Sequence, residues 1–130
     1  MNRLKVLFHV NESNRWQVVF GNINNFINDI GPQNADIEVL ANGEAVSIFG
    51  NKCSQVGDVS QGPSCGTVEG APVNQLKKLS EMGVKFVVCR NALKAESIDE
   101  DSLPAFVVVV PAGITEIAKK QAEGYAYIKP

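Results

Sequence analysis

Short apolar runs of strand length alternate with amphipathic helical segments along most of the chain. The first run spans 4–10, and similar runs lie at 37–41, 84–89 and 105–110. Between the first two runs, apolar residues recur at helical spacing over 16–30. Strands that alternate with helices, without tight hairpin turns, pack as a parallel sheet with helices on its faces. The pattern therefore predicts an α/β fold in the order β-α-β-α-β-α-β-α-β.

Residues that favour the first turn of a helix predict where the later helices begin. Pro72 and Pro111 suit the first turn of a helix, where a missing N–H costs nothing, and Asn91 can cap a short helix between them. The continuously apolar run 105–110 is typical of a strand covered on both faces. The segment 125–129 adds a final strand.

Length and charge limit the classes of protein to which the chain can belong. Its 130 residues are enough for one domain, 1–130, with a core that needs neither disulfide nor metal. The formal charge of −2 and the absence of a basic cluster argue against a nucleic-acid partner. No apolar stretch reaches the length of a membrane span and no signal peptide is visible, so we expect a cytoplasmic protein without a membrane partner.

The three cysteines form no recognisable scaffold or metal template. Cys53 and Cys65 lie in a glycine-rich segment, 51–70, and Cys89 ends a predicted strand. An odd count without a secretory signal predicts reduced thiols, and together with His9 they match no zinc spacing. Phosphate-loop and dinucleotide motifs are also missing, so neither a metal nor a cofactor is predicted.

Cys89 is the strongest candidate for chemistry. The carboxyl ends of parallel strands are where open α/β sheets place their sites, and Cys89 stands there just before a predicted helix. Amide groups at the helix start, near Asn91, and the charge of Arg90 favour a thiolate, the nucleophilic form, provided that solvent or a pocket reaches the sulfur. The alternative is that Cys89 only packs, as a small hydrophobe at a strand end.

Two further hypotheses concern the remaining polar groups. His9 is the only histidine, and it can exchange a proton with Cys89 if their strands are adjacent; otherwise it is structural. Cys53 and Cys65 can form a redox-sensitive disulfide, or one of them can resolve an oxidised Cys89. The alternative for both thiols is no role at all.

The second half of the chain resembles the DsrE/DsrF-like family. The resemblance rests on the strand 84–89 with its terminal cysteine, on the Val-Pro-Ala-Gly-Ile segment at 110–114, and on the closing Q-x-x-G-Y-A-Y-I-K-P at 121–130. It is dense over 71–130 and looser but collinear over 4–50. The segment 51–70 looks longer than is usual in the family, and Ala112 replaces a common serine.

The resemblance implies a three-layer α/β/α domain with a mainly parallel five-stranded sheet. It also implies homo-oligomers, commonly trimers or hexamers. Related subunits work in sulfur relay, in which a cysteine accepts sulfane sulfur as a persulfide and passes it to another protein. Cys89 occupies the matching position at the end of its strand.

These observations lead to one main hypothesis and two alternatives. The chain is expected to be a sulfur carrier or sulfurtransferase-like protein that holds a persulfide on Cys89, supported by Arg90, Asn91 and His9, with donor and acceptor proteins as partners. The first alternative is a non-catalytic oligomeric module that binds a small ligand or partner. The second is a thiol redox sensor acting through Cys53 and Cys65. The sequence does not decide whether the protein is an enzyme.

Overall fold

The centre of the fold is a five-stranded sheet in which all strands are parallel. A computed structural model describes residues 3–49 and 74–130. The strands lie in the order β4-β3-β2-β1-β5. They are β1 (Leu4–Val10), β2 (Ala35–Ala41), β3 (Lys85–Cys89), β4 (Val107–Val110) and β5 (Ala126–Ile128). The predicted α/β class and the five-stranded parallel sheet are confirmed.

Helices cover both faces of this sheet. The described helices are α1 (Trp16–Ile30), α2 (74–81), α3 (Arg90–Ala95) and α4 (Gly113–Ala122), and a 3-10 helix, Gly43–Phe49, follows β2. Apolar residues of α1, α2 and α3 join the core cluster on one face, called the α1 face, whereas α4 packs on the opposite α4 face. The three-layer arrangement is thus the observed one.

The handedness of the crossovers explains this division of the helices. Successive parallel strands β1, β2, β3 and β4 run across the sheet in one direction, and the described helices between them, α1, α2 and α3, lie on the α1 face. The chain then returns to the far edge to form β5. Because such crossovers are right-handed, the returning connection must use the other face, where α4 lies.

The apolar stripe of α1 forms much of the larger core. Its residues recur three and four positions apart, which puts them on one side of the helix, and they are at most 5% exposed. They pack against alternate residues of the strands, which point to the same face. The stripe consists of Trp16, Val19, Phe20, Ile23 and Ile27.

The α4 face is covered less completely, and one expectation from the sequence is wrong there. Leu7, Leu40 and Val87 are fully buried beneath α4. However, β4 is an edge strand, and Val108 remains 42% exposed on this face instead of being covered. The apolar run matched a doubly covered strand, but α4, the described helix on this face, packs mainly over β2 and β5 and not over β4.

The helix starts also differ from the sequence expectation. Cys89, not Asn91, is the residue that caps α3, and its side chain makes no capping hydrogen bond. The last helix begins at Gly113, two residues after Pro111. Within the described ranges, no helix is long and apolar enough to cross a membrane.

Candidate functional site

Cys89 lies at the point of the sheet where neighbouring connections leave in opposite directions. It ends β3 and is in register with Val110, the last residue of β4. After β3 the chain enters α3 on the α1 face, whereas after β4 it enters α4 on the other face. Diverging connections open a crevice at the carboxyl edge of a parallel sheet, and ligands bind there in open α/β folds.

Two helices begin beside the Cys89 side chain. The first is α3, which Cys89 itself precedes, and the second is α4, whose first residue, Gly113, lies against it. A Cβ placed on Gly113 would sit 3.5 Å from the Cβ of Cys89 and 3.4 Å from Leu40 Cδ2. Neither helix start has a side-chain cap. Unpaired amides at both starts therefore add positive potential near the thiol.

Cys89 is nevertheless mostly covered. Its exposed fraction is 7%, and it contacts the apolar core. The structure thus places Cys89 at the carboxyl edge of the sheet, as predicted, but leaves little of the residue exposed to solvent.

The two residues after Cys89 form the start of α3. The guanidinium of Arg90 donates to the Glu100 carboxylate, with Nε 2.6 Å from Oε2, and this pairing raises the pKa of Arg90. Much of its charge is therefore neutralised by Glu100. Asn91 is exposed in the first turn of α3.

His9 belongs to a hydrogen-bonded chain that approaches Cys89 from two strands away. Its strand, β1, is separated from β3 by β2, so the adjacency on which a direct proton exchange depended is not present. His9 Nδ1 lies 2.6 Å from the Tyr127 hydroxyl, and His9 Nε2 lies 3.0 Å from Asn42 Oδ1. Because an amide oxygen only accepts, the Nε2–H donates to Asn42, and Tyr127 donates its O–H to Nδ1.

Asn42 is held in place by its backbone. Its N–H donates to the carbonyl of Val10, which extends the pairing of β1 with β2 by one residue. Gly43 follows with a φ of +55°, and a Cβ there would meet the Asn11 carbonyl oxygen at 3.0 Å. Only glycine fits this turn without strain. The turn fixes Asn42 at the carboxyl edge, with Nδ2 3.5 Å from the position of a Cβ on Gly113.

Asn42 and Tyr127 are candidate functional residues that no pattern in the sequence had indicated. Asn42 directly follows β2, and this position at the carboxyl edge was a signal that could have found it. Tyr127 lies in the closing motif at 121–130, but its role depends on β5 pairing with β1. Cys53 and Cys65 lie outside the described residues. In the described part of the chain, no group of three or more ligating side chains could hold a metal ion.

A buried carboxyl group lies under α4, away from Cys89. Glu38 is 1% exposed on β2, and neither carboxyl oxygen has a hydrogen-bond partner at normal distance. The closest cation is Lys120 of α4, whose Nζ lies 3.6 Å from Oε1. Burial, helped by the nearby Glu116 carboxyl group, raises the pKa of Glu38 to about 8. This side chain is therefore mostly protonated at neutral pH.

Comparison with known proteins supports the resemblance noted in the sequence. A solved structure described as a protein of unknown function, from Methanobacterium thermoautotrophicum, has a TM-score of 0.75 and 28% sequence identity. The match covers 98% of this chain and 99% of that one. No curated protein matches the sequence.

The family model for the DsrE/DsrF-like family matches residues 5–130. This match includes β1 from its second residue, the other four strands, the cysteine at the end of β3 and the closing motif. The chain therefore belongs to the DsrE/DsrF-like family, which is generally linked to sulfur relay.

Proposed function

We propose that this protein is a sulfur carrier that holds sulfane sulfur as a persulfide on Cys89. The observation that carries the proposal is the position of Cys89 in the crevice between β3 and β4, beside the uncapped starts of α3 and α4. Helix starts stabilise anionic sulfur, and lowered thiol pKa values are common at such positions. Family membership adds the link to sulfur relay.

The transfer needs no outside oxidant. The Cys89 thiolate attacks the outer sulfur of a donor persulfide, the new S–S bond forms on Cys89, and the donor sulfur leaves as a thiolate. The sulfur received stays at the same oxidation level throughout. An acceptor thiolate then attacks this outer sulfur and the bonding electrons return to the Cys89 sulfur. Donor and acceptor proteins are thus the partners that the proposal requires.

The low solvent exposure of Cys89 limits which reagents can reach its sulfur. With 7% of the residue accessible, the persulfide is shielded from bulk solvent and from bulky thiols. Exchange then depends on access as well as on thiolate character. We expect small sulfane donors to load Cys89 faster than large thiol reagents modify it.

Sulfur uptake tests the proposal directly. The full chain is incubated with a low-molecular-weight persulfide and its intact mass is measured. The expected result is a gain of one sulfur atom that disappears in Cys89→Ser and persists in the matched control Cys53→Ser/Cys65→Ser. An unchanged mass for the wild-type protein, with Cys89 still reduced, would refute it.

One observation favours a second candidate, a non-catalytic binding module. Cys89 contacts the buried core, so the thiol can serve as packing alone. In that case Cys89→Ala would lower stability and leave every binding property of the protein unchanged. The alkylation rate of Cys89 would also follow that of an ordinary thiol, with a midpoint of about 8.5.

Self-association is part of the same proposal. Ile114 is 75% exposed at the start of α4, and Val108 is 42% exposed on the same face. Exposed apolar groups of this kind favour contact with another subunit. Light scattering is expected to give a homo-oligomer, a trimer or hexamer, that Ile114→Asp weakens; a wild-type monomer at micromolar concentration would contradict it.

A further inference from the structure

Asn42 Nδ2 and the Cys89 Cβ both border the space beside Gly113. The point 3.5 Å from Asn42 Nδ2 and 3.5 Å from the Cys89 Cβ is where a side chain on residue 113 would begin. Residue 113 is glycine, so the point is clear. None of the described residues accepts a hydrogen bond from Nδ2.

The hydrogen-bonded chain fixes which end of the Asn42 amide faces this space. Asn42 Oδ1 accepts from His9, 3.0 Å away, so the amide nitrogen must lie on the opposite side. His9 can donate from Nε2 because its Nδ1 accepts from the Tyr127 hydroxyl, 2.6 Å away. The donor–acceptor direction of each hydrogen bond in this series determines the direction of the next one. Linked hydrogen bonds of this kind also polarise one another.

We propose that Asn42 donates a hydrogen bond from Nδ2 to anionic sulfur at Cys89. This inference rests on the proposed function for its ligand, which is first the thiolate and then the outer sulfur of the persulfide. Asn42 is the residue that touches the substrate sulfur. His9 and Tyr127 are positioning residues, because they act through Asn42 and keep its donor end directed at the site.

The charges around Cys89 leave room for such a donor. Arg90, the cation next to Cys89 in the chain, is bound to Glu100, which lies in the segment that follows α3. Val110 on β4, Leu40 on β2 and Gly113 on α4 are uncharged. Among the described residues that border the space beside Gly113, Asn42 therefore supplies a polar group that can stabilise the sulfur anion, together with the helix starts.

Two substitutions of Asn42 distinguish a hydrogen-bond donor from a residue with a purely structural role. Asn42→Asp keeps the size of the side chain but turns an oxygen toward the sulfur, whereas Asn42→Ala removes the side chain. Loss of one hydrogen bond to a charged group predicts roughly tenfold slower sulfur loading for Asn42→Ala. Like-charge repulsion makes Asn42→Asp slower still. A structural role predicts the reverse order, because the isosteric variant would disturb the packing least.

The pH profile of Cys89 alkylation provides a readout that does not depend on sulfur transfer. Iodoacetamide labelling is followed at the Cys89 peptide by mass spectrometry. The midpoint is expected to rise from wild type to Asn42→Ala and again to Asn42→Asp, while the control Asn24→Ala, exposed on α1, matches wild type. Equal midpoints for all four proteins would overturn the inference, even if wild type takes up sulfur. If the midpoints rise in this order but the wild-type protein takes up no sulfur, the proposed function and the persulfide contact are overturned. Asn42 would then be a donor to the thiolate alone.

A double variant tests whether Tyr127 acts through Asn42. Tyr127→Phe removes one hydroxyl and lets His9 adopt the tautomer that turns the Asn42 amide around, so loading should slow several-fold. In the Asn42→Ala background the same change should have no further effect, because the two residues act in series. Tyr125→Phe is the matched control, because the Tyr125 hydroxyl makes no hydrogen bond with the described residues and the ring contacts with Lys5 and Lys120 are retained. Additive effects of the two substitutions would refute the positioning role.

Discussion

Gly113→Ala is predicted to make the protein more stable and less able to carry sulfur. The new methyl group would lie 3.4 Å from Leu40 Cδ2 and 3.5 Å from both Asn42 Nδ2 and the Cys89 Cβ. These are ordinary van der Waals distances, and the φ of Gly113 is not in the left-handed region. The substitution therefore fits without strain, but it fills the space in which the outer sulfur would meet Asn42.

The size of the stability change follows from two small terms. Replacing glycine by alanine in a helix gains up to about 1 kcal/mol, less at the first residue, and burying one methyl group adds about 0.8 kcal/mol at most. A net gain of about 1 kcal/mol corresponds to a rise in Tm of roughly 4 °C for a chain of this length. Sulfur loading should fall by roughly tenfold or more, because an outer sulfur about 2 Å beyond the inner one now meets the methyl group.

Thermal unfolding and the persulfide mass assay, run on the same samples, measure both effects. The control is Gly21→Ala in α1, where a Cβ has nothing within 4 Å. That variant should gain stability through helix propensity alone and load sulfur at the wild-type rate. If Gly113→Ala loads sulfur as fast as wild type, the space beside Gly113 is not where sulfur is held.

Two further predictions concern charges. The pKa of Glu38 is raised from 4.5 to about 8, so the stability that its protonated form contributes is complete below about pH 4.5 and is lost as the pH rises through 8. In urea unfolding, the free energy of unfolding of the wild-type protein should fall over this range by at most about 5 kcal/mol, and Glu38→Gln should lack this fall. The same dependence of the unfolding free energy on pH in both proteins would contradict the burial argument. Glu100→Gln should lower the pH midpoint of Cys89 alkylation, because Arg90 then keeps its full positive charge beside the thiol. The control Glu81→Gln on α2 should leave this midpoint unchanged. An unaltered midpoint in Glu100→Gln would mean that Arg90 does not influence Cys89.

Hydrophobic periodicity was sufficient to predict the fold. The alternation of strand runs with the stripe on α1 predicts a parallel sheet, and the structure places all five strands where such runs occur. The exposure of β4 was not predictable from its own residues. An apolar run shows that a strand can be buried on both faces, but strand order and the position of α4 decide whether it is.

The candidate site was predictable at one residue and not at its neighbours. Cys89 follows from a general rule about the carboxyl ends of parallel strands. The relation of His9 to Asn42 and Tyr127 depends on which strands are neighbours, and strand order is not contained in local spacing. An asparagine after a strand resembles any turn residue, so only the fold reveals that its amide and the cysteine border the same space beside Gly113.

Glu38 shows the same limit for electrostatics. In the sequence it is a polar residue alternating with apolar ones in a strand, a pattern typical of a solvent-facing side chain. The return crossover through α4 covers this position and leaves both carboxyl oxygens without a hydrogen-bond partner. The raised pKa is therefore a consequence of topology and not of local sequence.

Single-turnover transfer of labelled sulfur tests the central claim most directly. The protein is loaded with radiolabelled sulfane sulfur, separated from the donor and mixed with a small acceptor thiol, and the label is followed on the Cys89 peptide and on the acceptor. If Cys89 is a carrier, the label is found on that peptide before mixing and moves to the acceptor in equal amount afterwards. Label bound elsewhere in the chain, or label that stays on Cys89 in the presence of excess acceptor, would contradict the account.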